Sequence, residues 1–225
     1  MGLAEFPNFD ETMRLRLAAA TDRLCEEFEG IYDRRAIGAV VDESAQSLSA
    51  HGTTPFVHIL AERFARERLR AHAQSVGRLA KERPEVVFVS LTGGGRAQIA
   101  AALLTQRAGD AVIVHTAGSD AAAEVDANVR LAMEEVGIDL EEAFTKPLRP
   151  EVLDAADVIV TMGRSVGDVA IPATVRHLDW RVGDPAGAEL DEVRRVRDDI
   201  ERRIGTLVEE FAAAPQSSTS PDGPS

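Results

Sequence analysis

The sequence predicts an α/β fold, an open parallel sheet with helices on both faces, preceded by an N-terminal three-helix region. Three observations carry this. From Pro84 onward, short β-branched runs alternate with segments of helical period, the pattern of parallel strands joined by helical crossovers. The first run, Glu85 to Leu91, enters a glycine-rich turn and then an alanine-rich helix opening at Arg96. Upstream of Pro84 the chain carries three long amphipathic stretches and no alternation.

Thr12 to Glu29 places Met13, Leu17, Leu24 and Phe28 at helical spacing and stops at Gly30. Arg34 to Ser49 gathers Ile37, Val40, Val41, Ala45 and Leu48 on one face. His51-Gly-Thr-Thr-Pro55 interrupts the pattern, with Thr54 as N-cap and Pro55 at the first helical position of a third helix, Phe56 to Lys81. The apolar faces of these helices exceed what three helices hide among themselves, so the region is expected to dock on the α/β part or to form a homodimer. Strands are then expected at Glu85–Leu91, Ala111–Thr116, Asp157–Thr161 and Thr174–Asp179. Helices are expected at Arg96–Gln106, Ala121–Val136, Arg149–Ala155 and Glu189–Ala212. The chain thus divides into a helical region (1–83), an α/β domain (84–212) and a low-complexity, disordered tail (213–225).

A net charge of −13 argues against nucleic acid or an anionic membrane as partner. With one cysteine, Cys25, there is no disulfide framework, and its neighbours Leu24 and Phe28 mark it as a core residue. The first residues lack the basic start and apolar core of a signal peptide, and no run is long enough to span a bilayer, so a cytoplasmic location is expected. The charged runs Glu62–Arg70 and Arg194–Arg203 read as solvated helix faces laced with i,i+4 pairs.

The chemistry concentrates in the loop. Gly93, Gly94 and Gly95 let successive backbone N–H groups turn toward one point, since positive φ costs glycine little and no Cβ obstructs an anion. A helix starting at Arg96 adds N–H donors and partial positive charge, and its guanidinium can hold two oxygens. Leu91, Thr92, Gly93, Gly94, Gly95, Arg96 and Ala97 are therefore the candidate oxyanion-binding residues. The loop sits at the carboxyl end of the first strand, where open α/β sheets bind ligands. By itself, a glycine run after a strand also reads as a plain strand-to-helix turn.

Ser90-x5-Arg96 resembles the Cys-x5-Arg-Ser signature of low-molecular-weight protein tyrosine phosphatases and of the thioredoxin- or mycothiol-coupled arsenate reductases that share their fold. His115-Thr-Ala-Gly-Ser119, Val136-Gly-Ile-Asp-Leu140, Lys146-Pro-Leu148 and Ala156-Asp-Val-Ile-Val-Thr-Met-Gly163 extend the resemblance. Trp180-Arg-Val-Gly-Asp-Pro-Ala186 is similar to the family's Asp-Pro loop, which implies that Asp184 is the general acid. The resemblance also implies departures. Ser90 stands where the family has its cysteine, Gly93 where it has an asparagine, and Ala97 where it has a serine. Arg164 occupies the place of the resolving cysteine of many arsenate reductases. A single trapping substitution would change position 90 alone.

A thiolate nucleophile forms near neutral pH because the loop and the helix start lower its pKa; an alcohol in the same field stays protonated. No His-Asp pair at triad-like placement accompanies Ser90, since His115 ends one strand and His177 lies within another. The leading expectation is a catalytically silent member of the family. It would bind phosphate, arsenate, sulfate or a phosphorylated partner, and needs no cofactor or metal. One alternative is a working phosphatase or arsenate reductase of atypical chemistry. Another is a structural or regulatory dimer whose loop is a relic.

Overall fold

In the computed structural model the described residues are 8–49, 56–90, 95–118, 125–140, 147–163 and 169–213. Three helices come first: α1 (Glu11–Glu27), α2 (Arg34–Ser49) and α3 (Val57–Ser75). Then follow β1 (Glu85–Ser90), α4 (Arg96–Ala108), β2 (Ile113–Ala117), α5 (Ala127–Glu134), α6 (Pro150–Ala155), β3 (Val158–Met162), β4 (Arg176–Trp180) and α7 (Leu190–Ala213). All strand pairs are parallel, in the order β2-β1-β3-β4. The connections leaving β1 and arriving at β3 diverge to opposite sides of the sheet order, so the carboxyl end of β1 sits at the switch point where such sheets open a crevice.

Every residue of β1 is buried, as a central strand requires, and its alternate side chains feed two cores. Val86 and Phe88 pack with Val158, Val160, Met162 and Trp180 beneath α4, α5 and α7. Val87 and Val89 pack with Ile159 beneath α6, joined by Ala71 of α3. A third core, centred on Leu17, Leu24, Phe28, Ile37, Val41 and Leu69, holds α1, α2 and α3 together. Cys25 is half-buried at its margin.

Helix α3 thus serves both the bundle and the second face of the sheet. Arg68 makes the junction: its Nε donates to Glu151 of α6 at 2.6 Å, Nη2 to Glu43 of α2 at 2.9 Å and Nη1 to Ser44 at 3.2 Å. Burial raises the Glu151 carboxyl, but the bond from Arg68 outweighs it together with smaller contributions, and its pKa lies below the ordinary value. Arg149 adds a bond to Ser47 at 3.0 Å. The expectation that Glu62–Arg70 is a solvated face is corrected here: Glu62 and Arg66 form the i,i+4 pair at 3.0 Å, while Arg68 is turned inward at 7% exposure.

Several boundaries differ from the sequence reading for identifiable reasons. Helix α3 stops at Ser75 instead of Lys81 because Gly77 takes φ +72 and the chain folds back, Arg78 N–H meeting Ala73 O at 2.8 Å. Helix α5 starts at Ala127 instead of Ala121 because Asp126 caps it, accepting from Asn128 N–H at 2.8 Å. A 3₁₀ turn, Gly109–Ala111, delays β2 to Ile113. The Thr54-Pro55 cap, Leu91–Gly94, Ser119, Lys146, Arg164 and residues 214–225 lie outside the described residues. Among the described residues, no helix is long and apolar enough to cross a membrane, and no group of three or more His, Cys, Asp or Glu side chains is disposed to hold a metal ion.

Candidate functional site

Ser90 closes β1 at the switch point, buried, opposite Met162 of β3 in the register. Gly95 ends the loop in the left-handed region at φ +84 and caps α4; a Cβ there would stand 3.1 Å from Val129 of α5, so both conformation and space call for glycine. The helix begins at once, Ile99 N–H bonding to Gly95 O at 2.8 Å. Its first turn, bearing Arg96 and Ala97, carries N–H groups that the helix itself does not satisfy, together with the positive end of its dipole.

Arg96 is 5% exposed although its guanidinium is charged, and its surroundings explain how it is held. It lies against Gly163, the residue after β3, whose φ of +104 is open to glycine. A Cβ on Gly163 would come within 2.9 Å of Arg96 Nη2 and 3.0 Å of Nη1. On another side Nη2 faces Asp184 Oδ2 at 3.4 Å. The sequence reading missed Gly163. A glycine closing a strand beside the loop-bearing strand is a signal of close approach that could have found it.

Asp184 is partly exposed and is oriented by its own loop: its Oδ1 accepts from Ala186 N–H at 3.2 Å. That loop is fastened to the start of α5, where Asp126 Oδ2 accepts from Gly187 N–H at 3.2 Å and Asn128 Nδ2 donates to Ala188 O at 2.9 Å. Helix α5 therefore touches both halves of the site, Gly95 through Val129 and the Asp184 loop through Asp126 and Asn128.

The structure brings Ser90, Gly95, Arg96, Ala97 and Asp184 to the carboxyl edge of the sheet; Leu91, Thr92, Gly93 and Gly94 lie outside the described residues. The two strand histidines have other partners. His115 Nδ1 meets Glu67 at 2.9 Å and its Nε2 meets Glu85 at 3.2 Å; Glu85 begins β1 and Ser90 ends it. His177 Nε2 contacts Thr161 Oγ1 at 2.8 Å. What the described site can do chemically is hold negative charge against Arg96 and set a carboxylate beside it.

Sheet, switch point and helix start are those of a known class of protein, and the chain belongs to it: residues 85–217 match the low molecular weight phosphotyrosine protein phosphatase family. The helical region has a counterpart too, residues 17–73 matching the N-terminal domain of protein-tyrosine-phosphatase-like proteins. Both regions together are similar to the thioredoxin-dependent arsenate reductase of Corynebacterium glutamicum, at 33% identity and a TM-score of 0.76, covering 87% of this chain and 96% of that one. An arsenate reductase of Brevibacillus brevis is 36% identical over 132 residues, 57% of this chain and 97% of the relative. An arsenate reductase solved in its phosphate-binding state aligns at 26% identity and a TM-score of 0.51, over 57% of this chain and 98% of that chain.

Proposed function

We propose that the protein binds a tetrahedral oxyanion, free or carried on a phosphorylated partner, between Ser90 and Arg96, and does not perform the thiol chemistry of its relatives. The observation that carries this reading is the buried Arg96, seated against Gly163 and facing the Asp184 carboxylate beside the start of α4. A guanidinium so placed supplies two parallel donors to an anion, and the helix start supplies more. Ser90 contributes a hydroxyl, a donor and acceptor rather than a nucleophile, because an alcohol, unlike a thiol, stays protonated near neutral pH even in a field that lowers its pKa. With one cysteine in the chain, the thiol relay of an arsenate reductase has no second member.

Arsenate-dependent oxidation of a thioredoxin or mycothiol system, and hydrolysis of an aryl phosphate, test the reading together with arsenate binding. Binding without turnover is expected; turnover above a no-enzyme control would replace this reading with that of an active enzyme.

The helical region is read as a dimerisation element as well as a cover for the sheet. Leu15, Phe56 and Ile59 stay exposed after the bundle has docked, and the ion pairs of Arg23 with Glu62 and of Glu27 with Arg66 set α1 and α3 side by side in the same direction, so these side chains lie at the same end of the bundle. Sedimentation of the full chain should give a dimer that Phe56→Glu with Ile59→Glu converts to a monomer.

A further inference from the structure

Resting on the oxyanion reading, we propose that Asp184 is a specificity-determining residue: it admits an oxyanion that still carries a proton, phosphate or arsenate, and disfavours sulfate. Asp184 Oδ2 stands 3.4 Å from Arg96 Nη2, so the cation that attracts the anion and the carboxylate that repels it border one space. The carboxylate is oriented, its other oxygen accepting from Ala186 N–H at 3.2 Å. The loop that bears it is fastened through Gly187 to Asp126 and through Ala188 to Asn128. An anion drawn to Arg96 therefore meets an acceptor-only group in fixed position.

The consequence is chemical rather than steric. Phosphate, arsenate and sulfate are similar tetrahedra, and shape separates them poorly. Above neutral pH, hydrogen phosphate, hydrogen arsenate and sulfate are all dianions, so the field of a chain with net charge −13 acts on them alike. They differ in one hydroxyl. Hydrogen phosphate and hydrogen arsenate turn it toward Asp184 Oδ2 and donate a hydrogen bond to an ionised acceptor. Sulfate offers only a bare oxygen, which sets two like charges in contact. A site built around a ligand hydroxyl can reject an analogue lacking it by orders of magnitude, but Asp184 is partly open to water, which reduces the effect to about tenfold to a hundredfold.

Calorimetric titration of phosphate, arsenate and sulfate at pH 8 into the wild-type protein and Asp184→Asn reads this directly. The wild type should bind phosphate and arsenate at least about tenfold more tightly than sulfate. In Asp184→Asn the amide can turn its NH₂ toward a bare oxygen, so sulfate should rise to within a few-fold of phosphate. Asp184→Ala, which removes the acceptor without adding a donor, should also lose the preference, and melting of each variant without anion checks that the fold is retained. Equal binding of sulfate and phosphate by the wild type, or a preference that survives in both variants, overturns the inference and leaves the oxyanion reading standing. Absence of binding for all three anions overturns both.

Discussion

Arg96 occupies the space that a side chain on Gly163 would need: a Cβ there would lie 2.9 Å from Nη2 and 3.1 Å from Cζ. The two residues lie on different elements, α4 and the end of β3, and meet because β1 and β3 are paired up to Ser90 and Met162. The seat of the Arg96 guanidinium is therefore a property of the sheet as much as of the helix that bears it.

Gly163→Ala should displace the guanidinium and weaken oxyanion binding by at least about tenfold, a loss of about 1.4 kcal/mol. Positive φ alone costs stability, so the control is Gly137→Ala, at φ +76 with nothing within 4 Å of the added Cβ. Both variants should melt lower; only Gly163→Ala should lose phosphate affinity by titration. Equal affinity in the two would show that Arg96 accommodates the methyl group.

Arg68 should be the residue on which docking of the bundle depends. Arg68→Met removes the bonds to Glu151, Glu43 and Ser44 and leaves the carboxylates without their shared cation. Because Glu43 is largely exposed, the cost should fall below that of a fully buried pair, about 2 kcal/mol by denaturant unfolding. Hydrogen exchange should quicken in α3 and α6 and stay unchanged in α4.

Acid should loosen the molecule through identifiable carboxylates. The hydrogen bond from Arg23 leads in lowering the Glu62 pKa, with Arg66 adding to it against burial. Glu135 lies at about 2 through its bonds first to Arg194 and then to Arg197, and Glu151 is also lowered. A carboxylate depressed in the folded state stabilises it fully above the unfolded value, and that contribution is lost as pH falls through the folded one. Stability should therefore be insensitive to these groups near neutrality and decline from about pH 4.5 toward about 2, which a series of thermal melts would show. Glu62→Gln should flatten part of the decline.

Restoring the family's nucleophile should give little by itself. In Ser90→Cys the helix start and Arg96 favour a thiolate and Asp184 can protonate a leaving group, but the positions at Gly93 and Ala97 remain unfilled. The triple variant Ser90→Cys, Gly93→Asn, Ala97→Ser should exceed the single variant at least about tenfold in aryl phosphatase turnover, the scale of one transition-state hydrogen bond of about 1.4 kcal/mol. Equal rates would mean these positions do not correspond to the family's loop.

What the sequence made legible follows from how local each signal is. The run Val86-Val-Phe-Val89 announced a buried central strand, and Val193, Val196, Ile200, Ile204 and Leu207 announced α7, because period and composition reside in neighbouring residues. The stops at Gly77 and Asp126 were also local, but each competed with an apolar pattern that ran past it. The contacts that define the site were not legible. Nothing adjacent to Arg96 specifies that Gly163 leaves room for it or that Asp184 faces it, and nothing in Glu62–Arg70 separates Arg66 on the surface from Arg68 beneath it. These relations arise only once the strands pair and the bundle docks.

The most direct measurement of the central claim is calorimetric titration of arsenate into the full-length protein and into Arg96→Met, each with its melting temperature followed in parallel. Saturable one-site binding by the wild type, raising stability by about 2.7 kcal/mol at 100 times the dissociation constant, and loss of both signals in a folded Arg96→Met protein, is the predicted result. Wild-type protein that shows neither heat nor stabilisation with arsenate, or an Arg96→Met variant that binds as well as the wild type, would contradict it.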